Sequence, residues 1–138
     1  MSDHISLQLD WEEVLLRPVT SVLALGAFTM NDGSARWDAV AICVDNAAIV
    51  VTVEPDTDQV IVARADPPIA ADWVSIPSFD YAIGKKLGWC WIGINSQGYK
   101  DSFTVAICGS SSGFIEPHWT FVAVASCLQC FDLTIRRA

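Results

Sequence analysis

Two cysteines, Cys127 and Cys130, are separated by two residues, which is the spacing of many zinc-binding and redox-active pairs. A structural zinc site needs two further ligands, but the sequence has no second pair of this kind, and its histidines, His4 and His118, are far apart. A redox motif of the thioredoxin type would open a helix, whereas this pair lies among residues with a strand pattern. We therefore interpret both cysteines as small buried apolar residues and predict neither a metal site nor a cofactor.

His118 is the best single candidate for a general base, because imidazole titrates near neutral pH and Glu116 lies two residues before it. No Gly-x-Ser-x-Gly motif supplies a nucleophile. A single histidine at the start of a strand more often makes a structural hydrogen bond than it catalyses a reaction. The sequence therefore predicts no catalytic residue, and these features together argue against an enzyme.

Three acidic residues, Glu54, Asp56 and Asp58, alternate through a predicted turn and raise the question of calcium binding. A calcium loop of the EF-hand type needs twelve residues, a central glycine and a closing glutamate, and this segment lacks them. Charge clusters of this kind usually mark exposed turns, so we interpret the three acids as the tip of a hairpin.

The most informative stretch runs from Leu87 to Cys108, where two alternating apolar segments flank Gln97 and Gly98. The pattern predicts a β-hairpin with a two-residue turn, because glycine accepts the positive φ that such turns need. The resulting register pairs Ile92 with Phe103 and, two residues further from the turn, Cys90 with Val105.

This register divides the hairpin into two faces. One is an apolar core face, made of Cys90, Ile92, Phe103, Val105 and Ile107. Trp89 and Trp91 lie on the other face, among small or hydroxyl-bearing neighbours. Either a helix or a second layer covers these tryptophans, with Asp66–Lys86 or the N-terminal segment as the expected cover, or they form a subunit interface or a ligand-binding surface.

Asp101 is predicted near the turn, on the apolar face of the hairpin. Its carboxylate either fixes the turn by accepting hydrogen bonds or serves as a polar group of a binding site. The candidate binding residues are therefore Trp89, Trp91, Asp101 and His118.

A second unit, from Arg36 to Arg64, is predicted as a three-stranded meander with strands over Trp37–Val44, Ala47–Glu54 and Gln59–Arg64. Both faces of this unit are apolar, so we expect it to form a central part of a sheet that is covered on both sides.

The remaining segments complete the prediction of an α+β fold, a single domain over residues 1–138 dominated by antiparallel sheet with one to three short helices. Helical segments are predicted over Asp10–Arg17 and within Ile69–Trp73 and Ser78–Gly84. Further predicted elements are strands over Thr20–Phe28, Trp119–Ala125 and Leu128–Ile135, and a flexible connection over Gly109–Gly113.

The composition bears on partners. Hydrophobic residues make up 52% of the chain and charged residues 17%, and this apolar composition favours burial between two copies in a homodimer. The net charge of −8 repels phosphate backbones and anionic lipids, so nucleic acid and membrane surfaces are poor partners. The first residues lack the pattern of a secretory signal, so we expect five reduced cysteines and a cytoplasmic location.

The stretch from Asn95 to Phe103, after Ile83-Gly84-Lys85, resembles a hairpin of small bacterial domains of unknown function, some of which are similar to immunity proteins that neutralise toxins. The resemblance implies a small bacterial domain without catalysis. The leading hypothesis is a non-catalytic interaction module that dimerises or grips another protein through a tryptophan-bearing face. The alternative is a small-molecule-binding protein or enzyme, with a pocket roofed by Trp89, Trp91 and residues 66–86.

Overall fold

The computed structural model describes residues 7–31, 33–108 and 116–133. This part of the chain forms twelve strands, which we number in chain order. They are β1 (Leu7–Gln8), β2 (Val19–Leu25), β3 (Phe28–Thr29), β4 (Ala35–Arg36), β5 (Ala39–Val44), β6 (Ala47–Glu54), β7 (Gln59–Ala65), β8 (Trp73–Ser75), β9 (Lys86–Gly93), β10 (Ser102–Cys108), β11 (Trp119–Val124) and β12 (Cys127–Asp132).

The strands form two principal sheets that pack face to face. One has six strands in the order β1-β7-β6-β5-β2-β8, and the other has four in the order β12-β11-β10-β9. Strands β3 and β4 form a separate two-stranded ribbon, and β1 is paired in parallel with β7. Buried side chains of both principal sheets share one core, whose largest fully buried members include Trp119, Phe103, Phe121, Ile42 and Ile49. The described chain is therefore a β-sandwich.

Backbone hydrogen bonds join the two sheets at several places, one of them where the Val60 amide of β7 donates to the Lys100 carbonyl at 2.9 Å, before β10. Near the start of β2, the Leu16 amide donates to the Leu87 carbonyl at 2.8 Å, next to a bridge between Pro18 and Lys86. After β4, Trp37 and Leu128 exchange two hydrogen bonds, at 3.0 and 2.7 Å. These links pair part of the sheet edges that the sandwich would otherwise expose.

The predicted dominance of antiparallel sheet is confirmed, but the predicted helices are wrong. Short 3₁₀ segments lie at Trp11–Glu13 and Pro77–Ala82, and residues 7–31, 33–108 and 116–133 contain no α-helix. Asp10 caps the first segment, as expected, by accepting from the Glu12 amide at 3.1 Å. The stretch before Pro18 is too short to offset the free energy of helix nucleation. No helix of the described residues is long and apolar enough to span a membrane.

The predicted meander is confirmed as β5, β6 and β7, with Val40 opposite Val51 and Ile42 opposite Ile49. Asp45 has a φ of +46° in the turn between β5 and β6, a conformation that aspartate tolerates better than most residues.

The two strands predicted near the end of the sequence correspond to β11 and β12. The predicted connection over 109–113 and the last residues of the predicted final strand lie outside the described residues.

Candidate functional site

The hairpin of β9 and β10 has the predicted register. Ile92 is paired with Phe103, Cys90 with Val105, and Trp91 with Thr104. Because side chains alternate across a strand, the fully buried Phe103 places Trp91 on the opposite, outer face of the four-stranded sheet.

The turn of this hairpin is longer than predicted. The Gly98 amide donates to the Asn95 carbonyl at 3.0 Å, and the Asn95 side chain accepts from the amides of Gln97 and Tyr99 at 2.9 and 3.1 Å. Gly98 has a φ of +88° at the end of this turn. The Asn95 amide also donates to the Tyr99 carbonyl at 2.9 Å, so the loop consists of three residues, 96–98, in place of the expected two.

A β-bulge sets the exposure of Trp89. Leu87 is paired with Ile107 and Cys90 with Val105, so two residues of β9, Gly88 and Trp89, oppose Ala106 alone. The adjacent Cys90 belongs to the inner face, so Trp89 points outward, and it is 49% exposed.

At the strand ends, Lys86, Cys108, Val124 and Cys127 point outward. The twelve outward positions between them, counting one residue before β11 and one after β12, form a surface that we call the aromatic face. It contains three rows of four residues: Trp89, Ala106, His118 and Leu133; Trp91, Thr104, Thr120 and Phe131; Gly93, Ser102, Val122 and Gln129. None of the twelve is aspartate, glutamate, lysine or arginine. At its centre the hydroxyls of Thr104 and Thr120 are 2.9 Å apart, and Phe131 and Leu133 are 47% and 50% exposed.

Large side chains of the two segments expected to cover the tryptophans pack inside the sandwich instead. Phe79, from residues 66–86, stacks on Trp119 with ring centroids 4.4 Å apart. Trp11, from the N-terminal segment, packs edge-on against Phe103 at 5.9 Å. Phe79 and Trp11 therefore do not cover Trp89, and the structure gives no support to the roof that the pocket hypothesis requires from these segments.

The candidate binding residues are not all on one surface. Trp89, Trp91 and His118 share the aromatic face, where His118 Nδ1 lies 3.1 Å from the Glu116 carbonyl oxygen. Asp101 alternates inward, two residues before Phe103, and its carboxylate accepts from Asn95 Nδ2 at 3.3 Å. Asp101 thus belongs to the turn.

The two cysteines of the Cys-x-x-Cys motif lie on opposite faces of β12, because they are three residues apart in a strand. Cys127 donates its thiol to the Val124 carbonyl at 3.1 Å, and Cys130 packs against the core. Burial raises the pKa of the Cys130 thiol far above its ordinary value, with a smaller contribution from Asp132. Within the described residues, no three His, Cys, Asp or Glu side chains are grouped to hold a metal ion.

Burial also raises the pKa of Cys90 from 9.0 to about 11. The native state then binds more protons than the unfolded state between these pH values, so the free energy of unfolding falls as pH rises from 9 to 11. Urea unfolding of the wild type and of Cys90→Ala across this range measures the effect. We expect a steeper fall in the wild type, and equal slopes contradict the assignment.

The outer face of the six-stranded sheet carries a second apolar cluster. Ala41, Cys43 and Ala48 are buried there, and the partly buried side chains packed against them are Leu23, Val50 and Trp73. All six residues belong to strands of this sheet. The sequence predicted a covered face here, but the cluster contains no residue of a covering layer.

Sequence reasoning missed the position of Arg36. The paired hydrogen bonds between Trp37 and Leu128 set β4 beside β12, so that the β3–β4 ribbon borders the aromatic face. Trp37 packs into the core against Phe79, so alternation turns Arg36 outward. Phe28 is the cross-strand partner of Arg36 and therefore lies on the same side of the ribbon.

Two consecutive side-chain hydrogen bonds hold the C-terminal end of β12 in place. Tyr81 Oη accepts from the buried indole Nε1 of Trp119 at 2.6 Å and donates to Asp132 Oδ2 at 2.9 Å. Lys85 Nζ lies 5.3 Å from the centre of the Tyr81 ring. Since the hydrogen bond from Tyr81 holds Asp132 on the inner side, its neighbour Leu133 faces outward.

The chain was compared with protein families, curated proteins and solved structures. A model described as a family of unknown function (DUF6334) matches residues 1–137. No curated protein and no solved structure matches the chain.

Proposed function

The chain belongs to the family of unknown function DUF6334, and we propose that it is a non-catalytic interaction module that grips another protein with its aromatic face. The supporting observation is the absence of lysine, arginine, aspartate and glutamate from the twelve residues of this face. A sheet face that meets only water normally alternates to polar and charged side chains. An uncharged face bearing exposed aromatic residues is typical of a surface that a partner covers.

The dimensions of the aromatic face suit a protein partner. Four strands about 4.8 Å apart, with about six residues along each, cover an area of about 20 Å by 20 Å. Exposed apolar patches of this size on single chains are often functional. Trp89 and Phe131 stand at opposite edges of the four-stranded sheet, with the threonine pair between them. Aromatic side chains at such positions contribute most of the binding free energy in many interfaces.

A toxin-neutralising role in bacteria is the finer form of this proposal, and it rests on the hairpin resemblance together with the uncharged aromatic face. The five cysteines are free thiols, which supports a reducing compartment such as the cytoplasm. A toxin gene beside the gene for this chain would favour that role over other interaction modules.

Selection of random twelve-residue peptides displayed on phage, with the full-length protein as target, tests the proposed function. We expect selected peptides to bind Phe131→Ser at least about tenfold more weakly than the wild type, because an aromatic anchor is lost. Ile69→Ser is the matched control, since Ile69 is 97% exposed and lies outside the aromatic face. Peptides that bind all three proteins alike, or a selection that yields no binder, would overturn the proposal.

Self-association is a second candidate, favoured by the cluster on the outer face of the six-stranded sheet. Small residues at the centre, Ala41, Cys43 and Ala48, allow a second sheet to approach closely. A two-fold dimer would bury the same face of both copies, which matches the expected homodimer.

Sedimentation equilibrium tests this second candidate. We expect a dimer for the wild type and a shift to monomer for Val50→Lys, because a lysine at the cluster would be buried without a partner charge. Val74→Lys is the control, because Val74 is half exposed on the edge strand β8 and lies outside the cluster. A wild type that stays monomeric at every concentration contradicts the dimer.

A further inference from the structure

The aromatic face continues beyond β12 onto the β3–β4 ribbon. Trp37 and Leu128 form a reciprocal hydrogen-bonded pair, so the preceding residue Arg36 lies beside Gln129, which follows Leu128. Phe28 is the cross-strand neighbour of Arg36 on its other side and is 43% exposed. Arg36 therefore lies between an exposed aromatic residue and the last strand of the aromatic face.

Arg36 is a cation without a partner among the described residues. Its Nε atom is buried and makes no hydrogen bond. The other described arginines are in ion pairs, Arg17 with Asp45 at 2.8 Å and Arg64 with Glu13 at 2.6 Å. A buried donor that has lost its water is left unsatisfied until an acceptor reaches it.

The two carboxylates nearest in sequence to this region, Asp38 and Asp132, make no ion pair with Arg36. Asp132 accepts from Tyr81, and Asp38 packs its carboxylate over the backbone of Gly26. The border of the aromatic face thus presents a guanidinium that pairs with no carboxylate of the described residues, in a chain whose net charge is −8.

We propose that the aromatic face takes a protein segment in which an aspartate or glutamate stands beside apolar side chains. The carboxylate binds Arg36, and the apolar side chains pack on Phe28 and Phe131. This inference rests on the proposed function, and it names the chemistry of the partner at the same face.

Physical chemistry favours a carboxylate over a neutral acceptor here. A guanidinium presents a planar fork that matches the two oxygens of a carboxylate, and charged hydrogen bonds are about twice as strong as neutral ones. Apolar neighbours lower the local dielectric and strengthen the pair. The net negative charge acts weakly beyond a Debye length of about 8 Å at physiological salt, so the local cation dominates at contact.

The peptides selected on the full-length wild type supply the test. We expect them to be enriched in aspartate or glutamate relative to the unselected library, and to bind Arg36→Gln at least about tenfold more weakly. Arg36→Lys should recover part of the affinity, because it restores the charge without the fork. Arg64→Gln is the matched control, since it removes an equal charge from the other sheet, and it should bind as the wild type does.

The outcomes separate this inference from the proposed function. Peptides without enriched acids that bind Arg36→Gln normally but lose affinity for Phe131→Ser would overturn the inference and leave the function standing. Peptides whose binding depends on neither Phe131 nor Arg36, or the absence of any binder, would overturn both. If Arg36→Gln and Arg64→Gln lost peptide affinity equally, the loss would be explained by the change in net charge alone. This outcome would also overturn the inference.

Discussion

Replacement of Trp119 by alanine should lower the free energy of unfolding by about 3–5 kcal/mol, the usual cost of emptying an aromatic site in a core. Trp119 is fully buried, stacks on Phe79 at 4.4 Å and packs edge-on against Phe121 at 6.3 Å. A loss of this size is a large fraction of the stability of a typical domain. Urea unfolding measures it.

Two further variants calibrate the Trp119 result. Tyr81→Phe leaves the indole of Trp119 without its acceptor and should cost about 1–3 kcal/mol. Trp89→Ala removes the same side chain from the exposed aromatic face and should change stability by less than about 1 kcal/mol. Equal losses for the alanine variants of Trp119 and Trp89 would contradict the assignment of inner and outer faces.

Replacement of Gly26 by alanine is the second change with a large expected effect. Gly26 has a φ of +72°, and an added Cβ would lie 2.1 Å from Asp38 Oδ2. Left-handed backbone costs an alanine about 1–2 kcal/mol, and relief of the clash adds to this cost. Gly26 directs the chain from β2 into the β3–β4 ribbon, so the strain acts where Arg36 is positioned.

Gly98→Ala is the matched control for Gly26→Ala. Gly98 also has positive φ, at +88°, but nothing lies within 4 Å of an added Cβ. Thermal or urea unfolding should show a clearly larger loss for Gly26→Ala. A loss no larger than that of Gly98→Ala would show that Asp38 moves aside freely.

Local sequence patterns were sufficient to predict most of the longer strands and the two faces of the hairpin. Alternation placed Phe103 in the core and Trp91 outside, since the period of a strand leaves few alternatives. The same reasoning missed the bulge at Gly88, because a bulge preserves the alternation on either side of it. It also mistook the segment after Asp10 for a helix, although the capping interaction itself was predicted correctly.

The wider surface could not be predicted, because it depends on pairs far apart in the chain. Arg36 borders the aromatic face only through the pairing of Trp37 with Leu128. The packing of Phe79 and Trp11 inside the core likewise means that these side chains do not cover Trp89. Nothing in the spacing of these residues indicates which sheet each segment joins.

Hydroxyl-radical footprinting of the full-length protein, free and bound to a selected peptide, tests the binding role of the aromatic face most directly. We predict that Trp89, Phe131 and Leu133 are oxidised in the free protein and protected in the complex. Leu16 and Ile69, which are exposed elsewhere, should be oxidised equally in both. Protection confined to Trp73 and Val50 on the six-stranded sheet, with Trp89 and Phe131 unchanged, would contradict the account.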